Sequence, residues 1–217
     1  YIDLAVAYGL RARVNLTMEN WSAAAADAQA AINASDATPY TIAQVSKPAF
    51  MDSKDNAWMW GIVIAETDRV VTSGIVNWPS HMGSLNYGYA NFSGGHQINK
   101  ALFNSIPATD VRKGWWIDEN CFSPNLNEEQ AYFVNDYCGY APYTHVKFAP
   151  YANEVYTSTN ANDIPLMRIE EMYYIAYEAQ AMNGDVPGAV AALNKFVNTY
   201  RDTDYLCEAT TKELLDE

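Results

Sequence analysis

The residues with the clearest chemical potential are aromatic and lie in a stretch rich in glycine and asparagine. Residues 77–91 read Asn-Trp-Pro-Ser-His-Met-Gly-Ser-Leu-Asn-Tyr-Gly-Tyr-Ala-Asn. Flat aromatic faces pack against the C–H faces of sugar rings, and polar side chains bond the sugar hydroxyls. We therefore predict that Trp78 stacks on a sugar, with Tyr87 or Tyr89 as a second wall. The predicted hydrogen-bonding partners are Asn77, His81 and Asn86.

Trp78 has an alternative role in packing. A large indole ring in a loop also pins that loop to the scaffold beneath it, and the sequence is compatible with either role.

A second aromatic candidate is the segment 114–119, Gly-Trp-Trp-Ile-Asp-Glu. Neighbouring side chains of an extended segment point to opposite faces. At most one of Trp115 and Trp116 is therefore expected to face a ligand, and the other is expected in the core. The Tyr-rich segment 132–143 offers further, weaker candidates.

Composition excludes several other functions. The chain carries 13 Lys and Arg against 26 Asp and Glu, a net charge of −13, and shows no basic cluster. Binding of nucleic acid or of an anionic membrane surface requires concentrated positive charge, so neither is expected. The spacing of the three cysteines does not match a zinc site, although Cys121 and Cys138 could pair.

We predict no enzymatic activity and no cofactor. Acidic pairs such as Glu66 with Asp68, or Asp118 with Glu119, suit glycoside hydrolysis, but solvated acidic surface explains them equally well. The three histidines (His81, His96 and His145) do not form an HExxH motif or a recognisable triad with serine and aspartate.

Two helical blocks are predicted to position the aromatic loops. Residues 1–34 form one helical hairpin, with the turn at Glu19-Asn20. Residues 163–202 form a second, in which Asp163 is the predicted N-cap, Gly184 ends the first helix and Asp185 begins the next. Small alanines alternate with large aromatic residues in the manner of tetratricopeptide-like hairpins.

The fold class follows from these blocks and the long segment between them. We predict a mostly α protein with tetratricopeptide-like hairpins and a loop-rich insertion, residues 35–162, that contains short strands. Expected elements of the insertion include a β-like piece at 70–73, a short helix at 97–106, and a strand with Trp58 and Trp60 on its core face. Residues 1–217 are expected to form one domain, with a further helix starting near residue 208.

The second hairpin carries a family resemblance. Its sequence is similar to the phrase "ipL-x-R-x-x-E-x-x-Y-x-x-A-E-A", a Gly-Asp or Asn-Gly turn and "A-x-x-x-L-N" of the SusD/RagB family. The matching residues include Ile164, Pro165, Leu166, Arg168, Glu171, Tyr174, Ala176, Glu178, Ala179, Asn183, Gly184, Asp185, Ala189, Leu193 and Asn194. Tyr177 departs from the small residue that is usual there. The Asp110-Val-Arg112 passage and Val146-Lys-Phe148 resemble other recurrent family segments.

The resemblance implies a central fragment of an outer-membrane nutrient-binding lipoprotein. Such a protein binds an oligosaccharide or polysaccharide and delivers it to a SusC-like TonB-dependent transporter. The resemblance further implies attachment to the outer leaflet of the outer membrane through a lipid-anchored N-terminal region outside this chain. Two alternatives stay open: a helical-repeat protein-interaction module, and a binder of a non-glycan nutrient such as a peptide.

Overall fold

The computed structural model describes residues 2–71, 77–92 and 95–211. Residues 1–41, 56–61 and 165–217 make up one compact unit, here called the helical unit. Residues 42–55 and 62–164 make up a second, the loop-rich unit. The predicted insertion, residues 35–162, overlaps the loop-rich unit, but residues 35–41 and 56–61 within it belong to the helical unit.

The regular secondary structure of the described residues is mainly α-helical, with two short strands. The α-helices are α1 (Leu4–Thr17), α2 (Trp21–Ala34), α3 (Ile42–Val45), α4 (Trp78–Met82), α5 (Tyr89–Phe92), α6 (Lys100–Ser105), α7 (Glu128–Tyr132), α8 (Ile169–Met182) and α9 (Val186–Tyr200), and the strands are β1 (Trp58–Ile62) and β2 (Ile164–Arg168), which pair in a two-stranded sheet. Among the described residues, no helix combines the length and the apolar character that a membrane crossing requires.

The first hairpin has the predicted form. The Asp3 carboxylate caps α1 by accepting a 2.8 Å hydrogen bond from the backbone N–H of Val6. Small side chains, among them Ala12, Ala24 and Ala28, are fully buried between the helices. Because alanine adds little bulk, α1 and α2 pack closely.

The second hairpin begins later than predicted. Helix α8 starts at Ile169, not after Asp163, and residues 164–168 form strand β2. A residue before proline avoids the helical region, so Ile164 before Pro165 favours extended backbone. The Asp163 carboxylate caps no helix and accepts backbone hydrogen bonds from Ser53 and Ile64, each 2.8 Å long.

The turn between α8 and α9 agrees with the sequence. Gly184 has a φ of +100°, a region open to glycine, and follows the end of α8. The Asp185 carboxylate then caps α9 through the backbone N–H of Gly188 at 3.0 Å. Ala189, Val190, Phe196 and Val197 are the buried residues along α9 after its first turn. The buried face of α8 includes Ile169, Met172, Ile175 and Ala179, and Tyr173, Ala176 and Gln180 are partly buried.

A buried ion pair stabilises the helical unit. Glu170 and Arg201 are each 2% exposed, and their Oε1 and Nη2 atoms lie 3.0 Å apart. The same Oε1 accepts a 3.1 Å bond from the backbone N–H of Tyr40. Trp58 is buried and Trp60 packs against the core of α1, α2 and α8, as predicted for that strand.

The loop-rich unit has its own apolar core. Its buried members are Leu85, Ile117, Phe133, Val134, Tyr140 and Val146. The helix predicted at 97–106 is α6, capped by Asn99. Val70 and Val71 lie in a turn, and the rest of the predicted β-like piece falls outside the described residues. Residues 208–211 are not helical, and the remainder of the helix predicted near residue 208 also falls outside them.

Candidate functional site

Two of the predicted hydrogen-bonding residues are buried and serve the protein's own turns. Asn77 is 5% exposed: its Oδ1 accepts from the backbone N–H of Ser80 at 2.8 Å, and its Nδ2 donates to the Val70 carbonyl at 2.9 Å. Asn86 is fully buried, and its Oδ1 accepts from the backbone N–H of Gly88 and the Nδ2 of Asn91. We correct both residues to structural roles, because a sealed and satisfied amide offers nothing to a ligand.

The adjacent tryptophans have opposite surroundings. The Trp115 ring is 8% exposed, and its Nε1 donates to the Val45 carbonyl at 2.9 Å. The Lys147 ammonium lies 4.5 Å from the centre of that ring. Trp115 is therefore a core residue, which corrects its place among the binding candidates. Trp116 is half-buried and lines a cavity. One ring is buried and the other is not, as expected, but Trp115 ends a 3₁₀ turn, so the predicted extended segment does not explain the difference.

Trp78 contacts another aromatic ring of the loop-rich unit. Its indole is half-buried and meets Phe148 edge-to-face, with ring centres 5.0 Å apart and planes at 81°. This geometry is a favourable packing contact, and it supports the packing alternative for Trp78.

An exposed group of aromatic rings surrounds Tyr87. We call it the aromatic surface and define it as Tyr87, Phe92, Tyr137 and Tyr156. The rings of Tyr87 and Phe92 are stacked, with centres 5.7 Å apart and planes 24° apart. The Tyr137 and Tyr156 rings meet edge-to-face at 5.2 Å. Phe133, which is fully buried, lies beneath and contacts Tyr137 at 5.7 Å.

The aromatic surface presents large apolar faces to solvent. Phe92 is 60% exposed and Tyr137 is 51% exposed. Tyr89, on the same short helix as Phe92, is 49% exposed and lies 5.4 Å from the His81 ring. Contiguous exposed apolar surface on a soluble protein commonly marks a binding site. Tyr87, Tyr89 and His81 therefore remain candidates for ligand contact.

Tight local structure holds these rings in place. At Gly88 an added Cβ would lie 2.8 Å from the Asn86 Oδ1 and 2.9 Å from the Ser80 Cα, so only glycine fits this close approach. On the other side, residues Phe133–Tyr137 form a single π-helical turn. Such turns occur frequently at functional sites because they redirect side chains.

The phenols of Tyr87 and Tyr156 stay neutral at physiological pH. The hydrogen bond to Tyr137, followed by desolvation, raises the pKa of Tyr87 to about 12. Burial and the nearby Glu129 carboxylate raise the pKa of Tyr156. A neutral phenol both donates and accepts hydrogen bonds, which suits sugar hydroxyls.

Sequence reasoning missed part of this surface. Tyr137 lay within the Tyr-rich segment but was not distinguished from its neighbours, and Phe92 and Tyr156 were not proposed. The signal that could have found Phe92 is its place five residues after Tyr87, in the same glycine-punctuated segment. Tyr156 carries no such signal, because its contact with Tyr137 depends on the fold.

The candidate carboxylates are already used by the protein. Glu66 accepts a 2.7 Å hydrogen bond from the Tyr151 hydroxyl, and Asp68 accepts from the backbone N–H of Ala65 at 2.9 Å. Asp118 Oδ1 accepts from the backbone N–H groups of Asn120 and Phe122. Asp110 and Arg112 form a local pair: Asp110 caps a 3₁₀ turn and accepts a 2.6 Å hydrogen bond from the Arg112 guanidinium.

Metal and disulfide chemistry find no support in the described part of the chain. No group of three or more His, Cys, Asp or Glu residues there is placed to hold a metal ion. Cys121, Cys138 and Cys207 are free thiols, so the possible pair of Cys121 with Cys138 is not formed.

No family model matches the chain, and no curated protein matches it in sequence. Solved structures do match. A SusD-like carbohydrate binding protein from Bacteroides vulgatus aligns with 99% of the chain at a TM-score of 0.65 and 17% identity. A SusD superfamily protein from Bacteroides thetaiotaomicron aligns with 94% of it at 0.64 and 19%. The fold is that of SusD-like proteins.

A third similar structure is surface glycan-binding protein A from Bacteroides thetaiotaomicron, with a TM-score of 0.55 and 12% identity over 99% of the chain. The chain spans only 40%, 42% and 50% of the lengths of these three proteins. The SusD-like fold confirms the resemblance of the second hairpin and the mostly α fold class. At these identities the similarity concerns the fold, and function is a separate argument.

Proposed function

We propose that this chain is part of a SusD-like protein that binds oligosaccharide or polysaccharide without cleaving it. The observation that carries the proposal is the aromatic surface, in which Tyr87, Phe92 and Tyr137 hold adjoining rings at the surface of the loop-rich unit. Similarity to structures described as carbohydrate-binding and glycan-binding supports the choice of ligand.

The physical basis is burial of sugar C–H faces on preformed rings. Each aromatic contact of this kind contributes on the order of 1 kcal/mol beyond simple area burial. The Tyr87 and Phe92 rings are ordered by stacking on each other, so a ligand spends little free energy on fixing them. Neutral phenol hydroxyls at Tyr87 and Tyr156, with His81 and Tyr89 nearby, would bond the equatorial hydroxyls.

The arrangement of the candidate carboxylates supports glycan binding without hydrolysis. Hydrolysis requires two carboxyl groups flanking the bond, about 5 Å or about 6.5–9.5 Å apart. The carboxylates of Glu66, Asp68 and Asp118 each accept hydrogen bonds within the protein. Residues of the aromatic surface are tyrosine and phenylalanine, so the surface itself holds no carboxyl pair of the kind that glycoside hydrolysis uses.

The cellular setting is part of the same proposal. We propose, on the sequence resemblance, a position at the outer leaflet of the outer membrane, with a lipid anchor on a region outside this chain. The bound glycan would pass to a SusC-like TonB-dependent transporter, and the helical unit would supply the docking surface. Helical repeats suit docking because their surface is broad and rigid.

One observation favours the alternative, a protein-interaction module. Leu4, Val14 and Met18 of α1 are 63%, 55% and 65% exposed. Positions 14 and 18 are one helical turn apart, so they form an apolar edge on the helical unit. A protein that binds only through this edge would bind its partner and ignore sugars.

The test is calorimetric titration of the full-length protein with plant, host and microbial oligosaccharides, followed by an assay of reducing ends. We expect saturable heat with one glycan class and no new reducing ends. Phe92→Ala should weaken that binding at least tenfold. The matched control is Leu206→Ala, which removes an exposed apolar side chain (68%) of the helical unit, outside the aromatic surface. Cleavage of the titrant, or wild-type affinity in Phe92→Ala, would refute the proposal.

A further inference from the structure

A cavity of about 460 Å³ lies in the loop-rich unit, apart from the aromatic surface. Its lining is made by Ser46, Phe103, Ala108, Asp110, Val111, Lys113, Gly114, Trp116, Asp118, Phe122, Pro124 and Asn125. None of these residues belongs to the aromatic surface. A volume of this size lies within the range of about 300–1,000 Å³ that is usual for small-molecule sites.

Aromatic rings form much of the cavity wall. Trp116 is half-buried, so one part of its indole packs inside the protein and another part is free to face the cavity. Phe103 is 7% exposed and forms a buried part of the lining, whereas Phe122 is 62% exposed and stands at the solvent side. Such a wall suits a ligand with apolar C–H faces.

The charges around the cavity cancel. The Asp110 carboxylate is neutralised by the Arg112 guanidinium 2.6 Å away. The remaining lining charges are the Lys113 ammonium and the Asp118 carboxylate, one of each sign. A ligand with a net charge would gain from one and be repelled by the other, so the lining favours a neutral molecule.

The cavity lining can both donate hydrogen bonds to a ligand and accept them from it. The Lys113 ammonium donates to the Ile106 carbonyl at 2.7 Å, which leaves part of its three-donor capacity for a ligand. The Oδ1 atom of Asp118 accepts from the backbone N–H groups of Asn120 and Phe122, and Oδ2 can accept from a ligand. A hydroxyl group satisfies both, because it donates and accepts.

The cavity is preorganised by short turns. Asp110 caps the 3₁₀ turn Val111–Trp115, and the Ser123 hydroxyl donates to the Gly114 carbonyl at 2.6 Å. The Asn125 side chain approaches Gly114 so closely that a Cβ there would clash. Rigid walls reduce the ordering cost of binding.

We propose that the cavity beside Trp116 is a second carbohydrate subsite, which takes a single neutral pyranose unit at an end or branch of the glycan. The ligand class rests on the proposed carbohydrate-binding function, whereas the cavity, its aromatic wall and its balanced charge do not. A single unit fits better than a long stretch because the volume holds few rings.

The test uses the full-length protein with 5-fluorotryptophan at its tryptophans, observed by ¹⁹F NMR. Trp116→Phe assigns the Trp116 resonance by its disappearance. The titrants are methyl glycosides of glucose, mannose, galactose and N-acetylglucosamine, with glucuronic acid and glucosamine as charged analogues. We expect a saturable shift of the Trp116 resonance with at least one neutral glycoside and at least tenfold weaker binding of its charged analogues.

Asp118→Asn is the matched variant. Asparagine keeps an oxygen for the Asn120 and Phe122 N–H groups but replaces the second carboxylate oxygen with an amide. Binding of the neutral glycoside should weaken about tenfold, which corresponds to about 1.4 kcal/mol, with the ¹⁹F spectrum of the free protein unchanged. Wild-type affinity in this variant would overturn the assigned role of Asp118 and with it the subsite.

The outcomes separate this proposal from the first. A Trp116 resonance that stays fixed with every neutral glycoside, while Phe92→Ala still abolishes oligosaccharide binding, overturns the subsite alone. A saturable Trp116 shift together with unchanged oligosaccharide affinity in Phe92→Ala supports the subsite and overturns the aromatic surface as the main site. Linear, equal shifts of the Trp116 and Trp21 resonances indicate a solvent effect and overturn the subsite.

Discussion

The hydroxyl groups of Tyr87 and Tyr137 lie 3.1 Å apart, although 50 residues separate them in the chain. The bond joins the segment before α5 to the π-helical turn at Phe133–Tyr137. It therefore ties two parts of the aromatic surface together, with the rings of Tyr87 and Tyr137 side by side.

Two substitutions of Tyr137 should distinguish the role of its hydroxyl group from the role of its ring. Tyr137→Phe keeps the ring but loses the hydrogen bond, and we expect a loss of about 0.5 kcal/mol in the free energy of unfolding with oligosaccharide affinity within a few-fold of wild type. Tyr137→Ala removes the exposed ring and should weaken binding about tenfold. Urea denaturation and calorimetry measure the two effects. Equal affinity losses in both variants would show that the hydroxyl, not the ring face, contacts the ligand.

The buried Glu170–Arg201 pair should be sensitive to the loss of one partner. Glu170→Ala leaves the Arg201 guanidinium buried without its carboxylate, and we expect the free energy of unfolding to fall by about 3–5 kcal/mol. Replacing both residues by methionine should cost less than the single change, because the buried Arg201 charge is then removed, whereas the Arg168 guanidinium, 2.8 Å from Glu170, loses that carboxylate in both variants. Guanidinium or urea denaturation of the three proteins decides this. A double variant less stable than Glu170→Ala would contradict the argument.

Two glycine-to-alanine substitutions should differ in cost. At Gly114 the new methyl group meets the buried Asn125 side chain, and we expect a loss of about 2 kcal/mol from overpacking. At Gly9 it meets the Met167 Sδ at 2.5 Å, the end of a flexible side chain that can move. The higher helix propensity of alanine, about 1 kcal/mol, further offsets that contact. Thermal or chemical denaturation should rank Gly9→Ala as clearly more stable than Gly114→Ala.

Stability should fall as the pH decreases from about 6.5 to about 4. Burial, followed by the charges of His96 and Lys147, lowers the pKa of His145 to about 4. Within the described residues its Nδ1 is buried without a hydrogen-bond partner. In this pH window a histidine in the unfolded chain, with a pKa of about 6.5, binds a proton that His145 in the folded protein does not bind. Protonation therefore stabilises the unfolded state relative to the folded state.

His145→Phe removes that proton uptake. Denaturation curves at several pH values should show a stability that depends less on pH between about 4 and 6.5 than in the wild type, by up to about 3 kcal/mol. His81→Phe is the control for loss of a histidine elsewhere. If His145→Phe retains the full pH dependence, other groups are responsible.

The helical hairpins were predictable because their signals are local. Alanine spacing, the turn at Glu19-Asn20, Gly184 and the Asp185 cap each act within a few residues, and the structure contains all of them. The start of α8 was mispredicted because the extended state of residues 164–168 depends on pairing with β1, more than 100 residues earlier. The local sequence preferences of residues 164–168 carry no information about their pairing with β1.

The candidate residues were predicted by type better than by position. The sequence indicated aromatic candidates in the loop-rich segment, and Tyr87 lies in the aromatic surface. Asn77 and Asn86 had the right chemistry for a ligand, but the same amides also close turns, and only the folded contacts distinguish the two uses. The joining of Tyr137 and Tyr156 to Tyr87 is a tertiary event without a sequence pattern.

The pairing of β1 with β2 also bears on how such proteins diversify. The long segment that carries both candidate sites leaves from one of these strands and returns through the other, so its two ends are held side by side. A segment with adjoining ends can be exchanged as a cassette while the flanking hairpins keep their sequence. Residues 42–55 would have to travel with it, because the Val45 carbonyl accepts the Trp115 hydrogen bond. The sequence of the loop-rich segment can therefore change in evolution at a different rate from that of the helical hairpins.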